Sequence, residues 1–537
     1  MKQPYAMKNE DILHYAPGSQ ERDEDKKALQ QLKSSELIIP MIINGDEVFT
    51  DTHIRITPPH EHKHTLGYFC EGRGPHVSAA ITAALHAKNS WALKPLEERA
   101  QIFLKAADLI AGKYRAEINA ATMLGQSKNV YQAEIDSACE LIDFLRLNVQ
   151  FAREIEAIQP YSPQGIKNQL VYRPLEGFIF ALTPFNFTAI AGNLPSAPAL
   201  MGNTIVWKPA YTQIYSARII MNVLMEAGLP NGVINMIFTD GPVTGDIIFQ
   251  HRQFAGLHFT GSTAVFKHIT KTVYQNIDLY QNFPRIVGET GGKDFVLAHP
   301  DCDVRALAVA LIRGAFEYQG QKCSAASRAY IPASIWTDLQ TLLLEMISRI
   351  KTGTVEDFSN FVNAVIDKKA FDKIVSYIEA AKASSEATII TGGIYDDSIG
   401  YFIQPTIIVT SNPAYKTMKE EIFGPVLTIY VYEDKDWNNI LSVVDTSTDY
   451  ALTGSIFASN PIHIEEAKKS LYYSAGNFYI NDKPTGAIVN QQPFGGARLS
   501  GTNDKAGSVL NLLRWVSPQV IKENLAPPHD FTYDCMK

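Results

Sequence analysis

Val287-Gly-Glu-Thr-Gly-Gly-Lys-Asp294 and Gly320-Gln-Lys-Cys-Ser324 are the two stretches from which the rest of this chain is read. Each sets one reactive side chain in a glycine-marked island: Glu289 at the lip of a glycine turn, Cys323 behind a glycine and beside Lys322. A thiol that attacks a carbonyl must be a thiolate, and a neighbouring cation with free backbone amides favours that form. A thioester formed on that sulfur then needs a base to activate water, a task that suits a carboxylate such as Glu289. A third island lies upstream in Thr183-Pro-Phe-Asn-Phe187, where Asn186 offers amide N–H groups to a developing oxyanion. Singly, each has a plainer reading: a small buried hydrophobe, a helix-start carboxylate, a turn residue. Their joint presence, each within its own motif, is what points to chemistry.

Short apolar runs surround these islands. Gly177-Phe-Ile-Phe-Ala-Leu182, Thr204-Ile-Val-Trp207, Val233 to Phe238 and Gly256-Leu-His-Phe259 read as buried strands, with helical segments such as Ser216 to Ala227 between them. That alternation is the rhythm of a parallel α/β sheet. A second series follows Cys323: Arg328 to Ile331, Thr388 to Ile390, Val426 to Tyr432, Gly454 to Ala458 and Asn477 to Ile480. Two α/β domains with the chemistry between them are expected, as a length of 537 residues also suggests. From His76 to Arg153 the apolar spacing is helical, and residues 1 to about 35 read as a polar segment draped over a surface.

With 46% hydrophobic and 19% charged residues the composition is that of a globular protein. A net charge of −8 and the lack of a basic tract argue against nucleic acid as a partner. The apolar stretch Thr188 to Met201 is interrupted by Gly192, Asn193, Pro195 and Pro198, so no membrane span is expected. Five scattered cysteines without a CxxC pair suit a reducing compartment; Cys70, Cys139, Cys302 and Cys535 read as structural. His60-Glu-His-Lys-His64 alternates three imidazoles but follows two prolines and reads as a solvated loop, so no metal is expected. The location reads as cytoplasmic, or as the mitochondrial matrix for a processed eukaryotic form.

No GxGxxG is present, so the usual dinucleotide fingerprint is missing. Substitutes stand where apolar strands end: Trp207-Lys-Pro209, Phe259-Thr-Gly-Ser262, and the turn Glu420-Glu-Ile-Phe-Gly-Pro425. A helix opening at Ser262 could hold a pyrophosphate on its free amides.

The set Asn186, Glu289 and Cys323 in these motifs resembles the aldehyde dehydrogenase superfamily. The resemblance implies a Rossmann-like NAD-binding domain (1–162 and 185–288), an α/β catalytic domain (289–485), and a small β oligomerisation element with a substrate anchor loop (163–184 and 486–537). It implies NAD as cofactor. Lys208 would bond the adenine ribose, Ser262 the pyrophosphate and Glu421 the nicotinamide ribose, with Phe423 beside the ring and Phe185 also in the cofactor site. One departure stands out: many NAD-preferring relatives carry an acidic residue three positions after this lysine, and here that residue is Tyr211. NAD is the expectation, with NADP less firmly excluded.

The flanking text narrows the resemblance to a branch that oxidises L-glutamate γ-semialdehyde to L-glutamate, the second step of proline catabolism. It includes Arg99 to Asp108, Pro184 to Ile190, Phe316-Glu-Tyr318, Gly476 to Lys483 and Gln491 to Arg498. By that resemblance Ser324 and the amides of Gly486 and Ala487 grip the substrate carboxylate. Phe187 and Phe494 sandwich its methylene chain, and Glu140 meets its ammonium. A homo-oligomer, at least a dimer, is implied through Leu510 to Lys522 and Tyr161 to Tyr172. The upstream proline dehydrogenase is expected to be a separate polypeptide. Another acidic semialdehyde is the alternative substrate, and a nucleotide-free thiol hydrolase the alternative class.

Overall fold

The computed structural model describes residues 8–537. Two seven-stranded sheets organise it. In the first, the strands run Arg285–Glu289, Phe254–Thr260, Phe178–Leu182, Ile205–Lys208, Ile234–Met236, Met41–Ile43 and Asp46–Val48. The first five are mutually parallel, and the last two add an antiparallel edge. Chain order reverses direction at Phe178–Leu182, whose neighbours on its two sides are Ile205–Lys208 and Phe254–Thr260. Such a switch point leaves a crevice outside the carboxyl ends of the strands. The near-continuous apolar character of these strands follows from burial on both faces by helices.

The second sheet runs Ala387–Thr391, Thr406–Thr410, Val426–Tyr432, Ala326–Pro332, Asp294–Ala298, Thr453–Phe457 and Asn477–Ile480, parallel except at Ala387–Thr391. A two-stranded antiparallel ribbon, Ile166–Pro174 with Val516–Asn524, stands apart from both. Phe178–Leu182 lies in the middle of the first sheet rather than with that ribbon, so the outer element ends before it, short of the 163–184 span read from sequence.

Several elements differ from the sequence reading for identifiable reasons. Gln20–Lys33 is a helix that buries Leu29 and Leu32, although its surroundings are polar. Thr188–Leu200 is one buried helix despite Pro195 and Pro198 inside it. Asp136 secures its start by accepting from the Thr188 and Ala189 N–H groups at 3.0 and 2.9 Å. His60 is fully buried rather than solvated: its Nδ1 meets Ser127 Oγ at 3.2 Å, and burial lowers its pKa to about 4. Among the described residues, no helix is long and apolar enough to cross a membrane.

Candidate active site

Four of the singled-out residues sit at or just beyond the carboxyl ends of first-sheet strands. Lys208 and Glu289 end theirs, Ser262 follows Thr260, and Asn186 follows Leu182. Cys323 and Phe423 each lie just before a strand of the second sheet, Ala326–Pro332 and Val426–Tyr432. The two edges meet closely. A Cβ on Gly292 would stand 2.1 Å from the Cys323 carbonyl oxygen and, within the second edge, one on Gly320 would stand 2.3 Å from the Gly424 carbonyl oxygen. The glycines of these motifs are thus required by contact between the motifs themselves. One cleft is lined by Gly292, Cys323, Glu421 and Phe423.

The loop that carries Cys323 has an unusual backbone. Tyr318, Gln319 and Gly320 all have left-handed φ, at 50°, 55° and 65°. Each non-glycine residue there costs on the order of 1–2 kcal/mol. Tertiary hydrogen bonds hold the conformation. Gln319, buried, donates to Ser127 O and Ala364 O at 3.0 and 2.8 Å and accepts from Asn363 N at 3.0 Å. Gln321 accepts from Ile366 N at 2.9 Å, and its own carbonyl accepts from Asn186 Nδ2 at 3.0 Å. Asn186 and Cys323 are therefore oriented by the same loop.

Electrostatics around the thiol differ from the sequence expectation. Lys322 directs its ammonium to Glu317, 3.2 Å away. Burial, with the carboxylates of Asp294, Glu289 and Glu421, holds the Cys323 thiol well above its ordinary pKa. A cation in the next position in sequence is not a cation beside the sulfur. Glu289 Oε2 accepts from Gly496 N at 3.0 Å, and burial raises its pKa well above the ordinary carboxyl value. The chain from Leu499 to Thr502 folds over this carboxylate: Thr290 N bonds Ser500 O and Thr502 N bonds Gly288 O.

Next to Cys323, Ser324 is buried, with its Oγ 2.8 Å from Thr485 Oγ1. Thr485 escaped the sequence reading, since a threonine before a glycine turn carries no signal of its own. Gly486 has φ +93°, and a Cβ there would meet Lys483 Nζ at 2.6 Å. Phe187 begins the Thr188–Leu200 helix with the Lys128 ammonium 4.2 Å from its ring centre. The Phe494 backbone pairs with Ala506. Glu140 closes a seven-residue π-helix, Glu134–Glu140, and burial with Asp136 raises its pKa. Short π segments of this kind are frequent at functional sites.

The donors fit a dinucleotide. Lys208 is buried with its ammonium 4.9 Å from the Tyr211 ring centre, and burial lowers its pKa to about 8. Ser262 caps the helix Thr263–Gln275, accepting from Val265 N at 3.3 Å. Glu421 accepts from Gly292 N at 3.0 Å, and the Phe423 ring stands edge-on to Phe185 at 5.8 Å.

Residues 48–518 match the model of the Aldehyde dehydrogenase family. The chain is 49% identical to the mitochondrial delta-1-pyrroline-5-carboxylate dehydrogenase of Homo sapiens, over 98% of this chain and 94% of the relative. It is 51% identical to that of Dictyostelium discoideum, over 98% and 95%. The crystal structure of the Mycobacterium tuberculosis delta-pyrroline-5-carboxylate dehydrogenase bound with NAD superposes with a TM-score of 0.96 at 50% identity, covering 100% of this chain and 99% of that one. By sequence, fold and motif order together, the chain belongs to the aldehyde dehydrogenase family.

Proposed function

We infer that the chain is the NAD-dependent dehydrogenase that oxidises L-glutamate γ-semialdehyde, the open form of 1-pyrroline-5-carboxylate, to L-glutamate in proline catabolism. The observation that carries this reading is the meeting of Asn186, Glu289 and Cys323 where the two sheets join, beside a wall formed by Ser324, Thr485 and Gly486.

The Cys323 thiol gives up its proton to water, its Sγ adds to the aldehyde carbon, and the carbonyl oxygen takes up negative charge. The Asn186 amide and the Cys323 backbone N–H stabilise that charge better than the neutral ground state, which is how such donors accelerate addition. NAD, when bound, supplies the hydride acceptor, with Lys208, Ser262, Glu421, Phe423 and Phe185 as its holding residues. The acyl group left on Cys323 is a thioester. Glu289 removes a proton from the water that hydrolyses it, and a carboxyl whose pKa lies well above the ordinary value is a stronger base than a solvated one. Ser324 and the amides at Gly486 and Ala487 anchor the substrate carboxylate. Phe187 and Phe494 flank the chain, and Glu140 faces the ammonium.

Paired only with each other, Ile166–Pro174 and Val516–Asn524 expose Val520 and Ile521. An isolated two-stranded ribbon is marginal in water, which supports its burial against a second copy. A likeness to 54% of a proline utilization A chain, at 30% identity, supports functional coupling to a proline-oxidising enzyme. The mitochondrial relatives support a matrix location in a eukaryotic cell.

The deciding measurement is NADH formation from DL-pyrroline-5-carboxylate by wild type and Cys323→Ala in parallel. Turnover is expected in the wild type and a loss of at least ~10⁴-fold in the variant. A wild type that leaves this substrate untouched while oxidising simple aldehydes would overturn the substrate assignment.

A further inference from the structure

Lys208 ends a strand of the first sheet, and the position three residues further on, Tyr211, carries no charge of its own. It does carry a charge by contact. The Tyr211 hydroxyl donates to Glu71 Oε1 at 2.7 Å. Glu71 comes from a distant part of the chain, directly after the strand Gly67–Cys70. Its backbone is fixed on both sides: Glu71 N donates to Thr52 O at 2.8 Å, and Glu71 O accepts from Thr50 Oγ1 at 2.9 Å. The next residue, Gly72, donates to Phe238 O at 2.7 Å and bridges to Thr239, so this segment is laid against the carboxyl end of Ile234–Met236. A Cβ at Gly72 would come within 2.7 Å of Met41 Sδ, so the close approach depends on glycine.

Tyr211 is equally well fixed. Its ring packs on Phe69 at 4.8 Å between centres and lies under the Lys208 ammonium. Asp240, at the start of the helix Gly241–Ile248, adds a second carboxylate to the same corner. The Lys208 charge thus feels two acids, Asp240 and Glu71, and a tyrosine holds the second in place.

We propose that Glu71, held by Tyr211, is the residue that makes this enzyme select NAD over NADP. The proposal rests on the assignment of Lys208 to the adenine ribose. A ribose bearing two hydroxyls can donate to a carboxylate placed beside that lysine. A 2′-phosphate cannot donate when ionised, and its charge meets the Glu71 charge in a partly dehydrated corner. The charge that relatives place three residues after the lysine is here supplied from a distant part of the chain.

The test is calorimetric binding of NAD and of NADP to Glu71→Gln, Tyr211→Phe, Lys208→Ala and the wild type, with NADH and NADPH formation alongside. Glutamine keeps an acceptor for the Tyr211 hydroxyl, so the packing is retained. Its NADP Kd is expected to fall about tenfold or more, as removal of one unit charge a few ångströms from a phosphate predicts, while NAD binding weakens. Tyr211→Phe releases Glu71 without removing its charge and is expected to give a smaller shift in the same direction. If Lys208→Ala weakens NAD binding while Glu71→Gln leaves the NAD:NADP ratio at its wild-type value, the cofactor site stands and Glu71 is not the selector. If Lys208→Ala leaves the binding of both dinucleotides unchanged, the ribose assignment itself fails and the proposal falls with it.

Discussion

At the carboxyl edge of the first sheet, Asn186, Lys208, Ser262 and Glu289 lie at or within a few residues of the ends of apolar parallel strands. At the amino edge of the second, Cys323 and Phe423 come just before their strands, on backbone that includes the positive φ of Tyr318, Gln319, Gly320 and Phe423. The first edge is positioned by regular structure: once the sheet forms, strand ends and helix starts leave lysine, hydroxyl and amide donors where they are. The second is positioned by contacts that cross the fold, from Ser127 and from the 363–366 segment. Loss of Lys208 or Ser262 at the first edge should therefore weaken cofactor binding, whereas damage to the loop that carries Cys323 should slow chemistry.

The sharpest separation within the chemistry comes from Glu289→Gln. Addition of the Cys323 thiolate and hydride loss to NAD need no base at this position, whereas hydrolysis of the thioester does, so steady-state turnover should fall ~10²–10⁴-fold. A stoichiometric burst of NADH should survive in stopped-flow traces. Loss of the burst along with turnover would assign Glu289 to thiol activation as well.

Gln319→Ala tests the second edge directly. It removes three buried hydrogen bonds and leaves their partners unpaired, at about 1–3 kcal/mol for each group stranded. We expect kcat to fall ~10–100-fold, in keeping with the cost of a misplaced nucleophile. The NAD Kd should stay at the wild-type value, and a thermal melt should show reduced stability. A variant with weakened NAD binding and intact kcat would break the division between the edges.

This division also explains what was legible in the sequence. The strands of the first sheet and the turns that follow them were readable because apolar runs and small residues report local structure. The left-handed run before Cys323 was not, because tyrosine and glutamine give no hint of positive φ, and their partners lie roughly 45 or more residues away. The same holds for Lys322, whose neighbour in space is Glu317 rather than the thiol, and for Thr485 behind Ser324. The buried His60 was misread for a related reason: local composition argued for solvent, and burial in the fold overrode it. The edge strands Met41–Ile43 and Asp46–Val48 are too short to show a period.

A smaller effect is expected at the substrate wall. Gly486 has φ +93°, where an L side chain is strained, and an added Cβ would displace Lys483 Nζ. Gly486→Ala should raise the KM for pyrroline-5-carboxylate about tenfold by shifting the anchoring amides. Its kcat with a simple uncharged aldehyde should change little. An equal loss on both aldehydes would mean that the turn supports Cys323 rather than the substrate carboxylate.

The smallest effect is a difference in pH response between Lys208 at the first edge and Cys323 at the second. Burial lowers the Lys208 pKa to about 8, so its positive charge is present below that pH and is lost as pH rises through it. NAD affinity should therefore weaken a few-fold between about pH 7 and pH 9, as the lysine loses its charge and one of its donors. Cys323 moves the other way, because burial raises its thiol well above the ordinary value and it acts in the deprotonated form, so kcat should climb as pH rises. Glu71→Gln sharpens the contrast: one of the carboxylates that hold the Lys208 pKa up is gone, and the loss of NAD affinity should begin at lower pH. Calorimetric NAD binding and steady-state kcat across this range would show the two profiles running in opposite directions. If they rise together, the lysine titrates with the catalytic loop, and the two edges form one electrostatic unit.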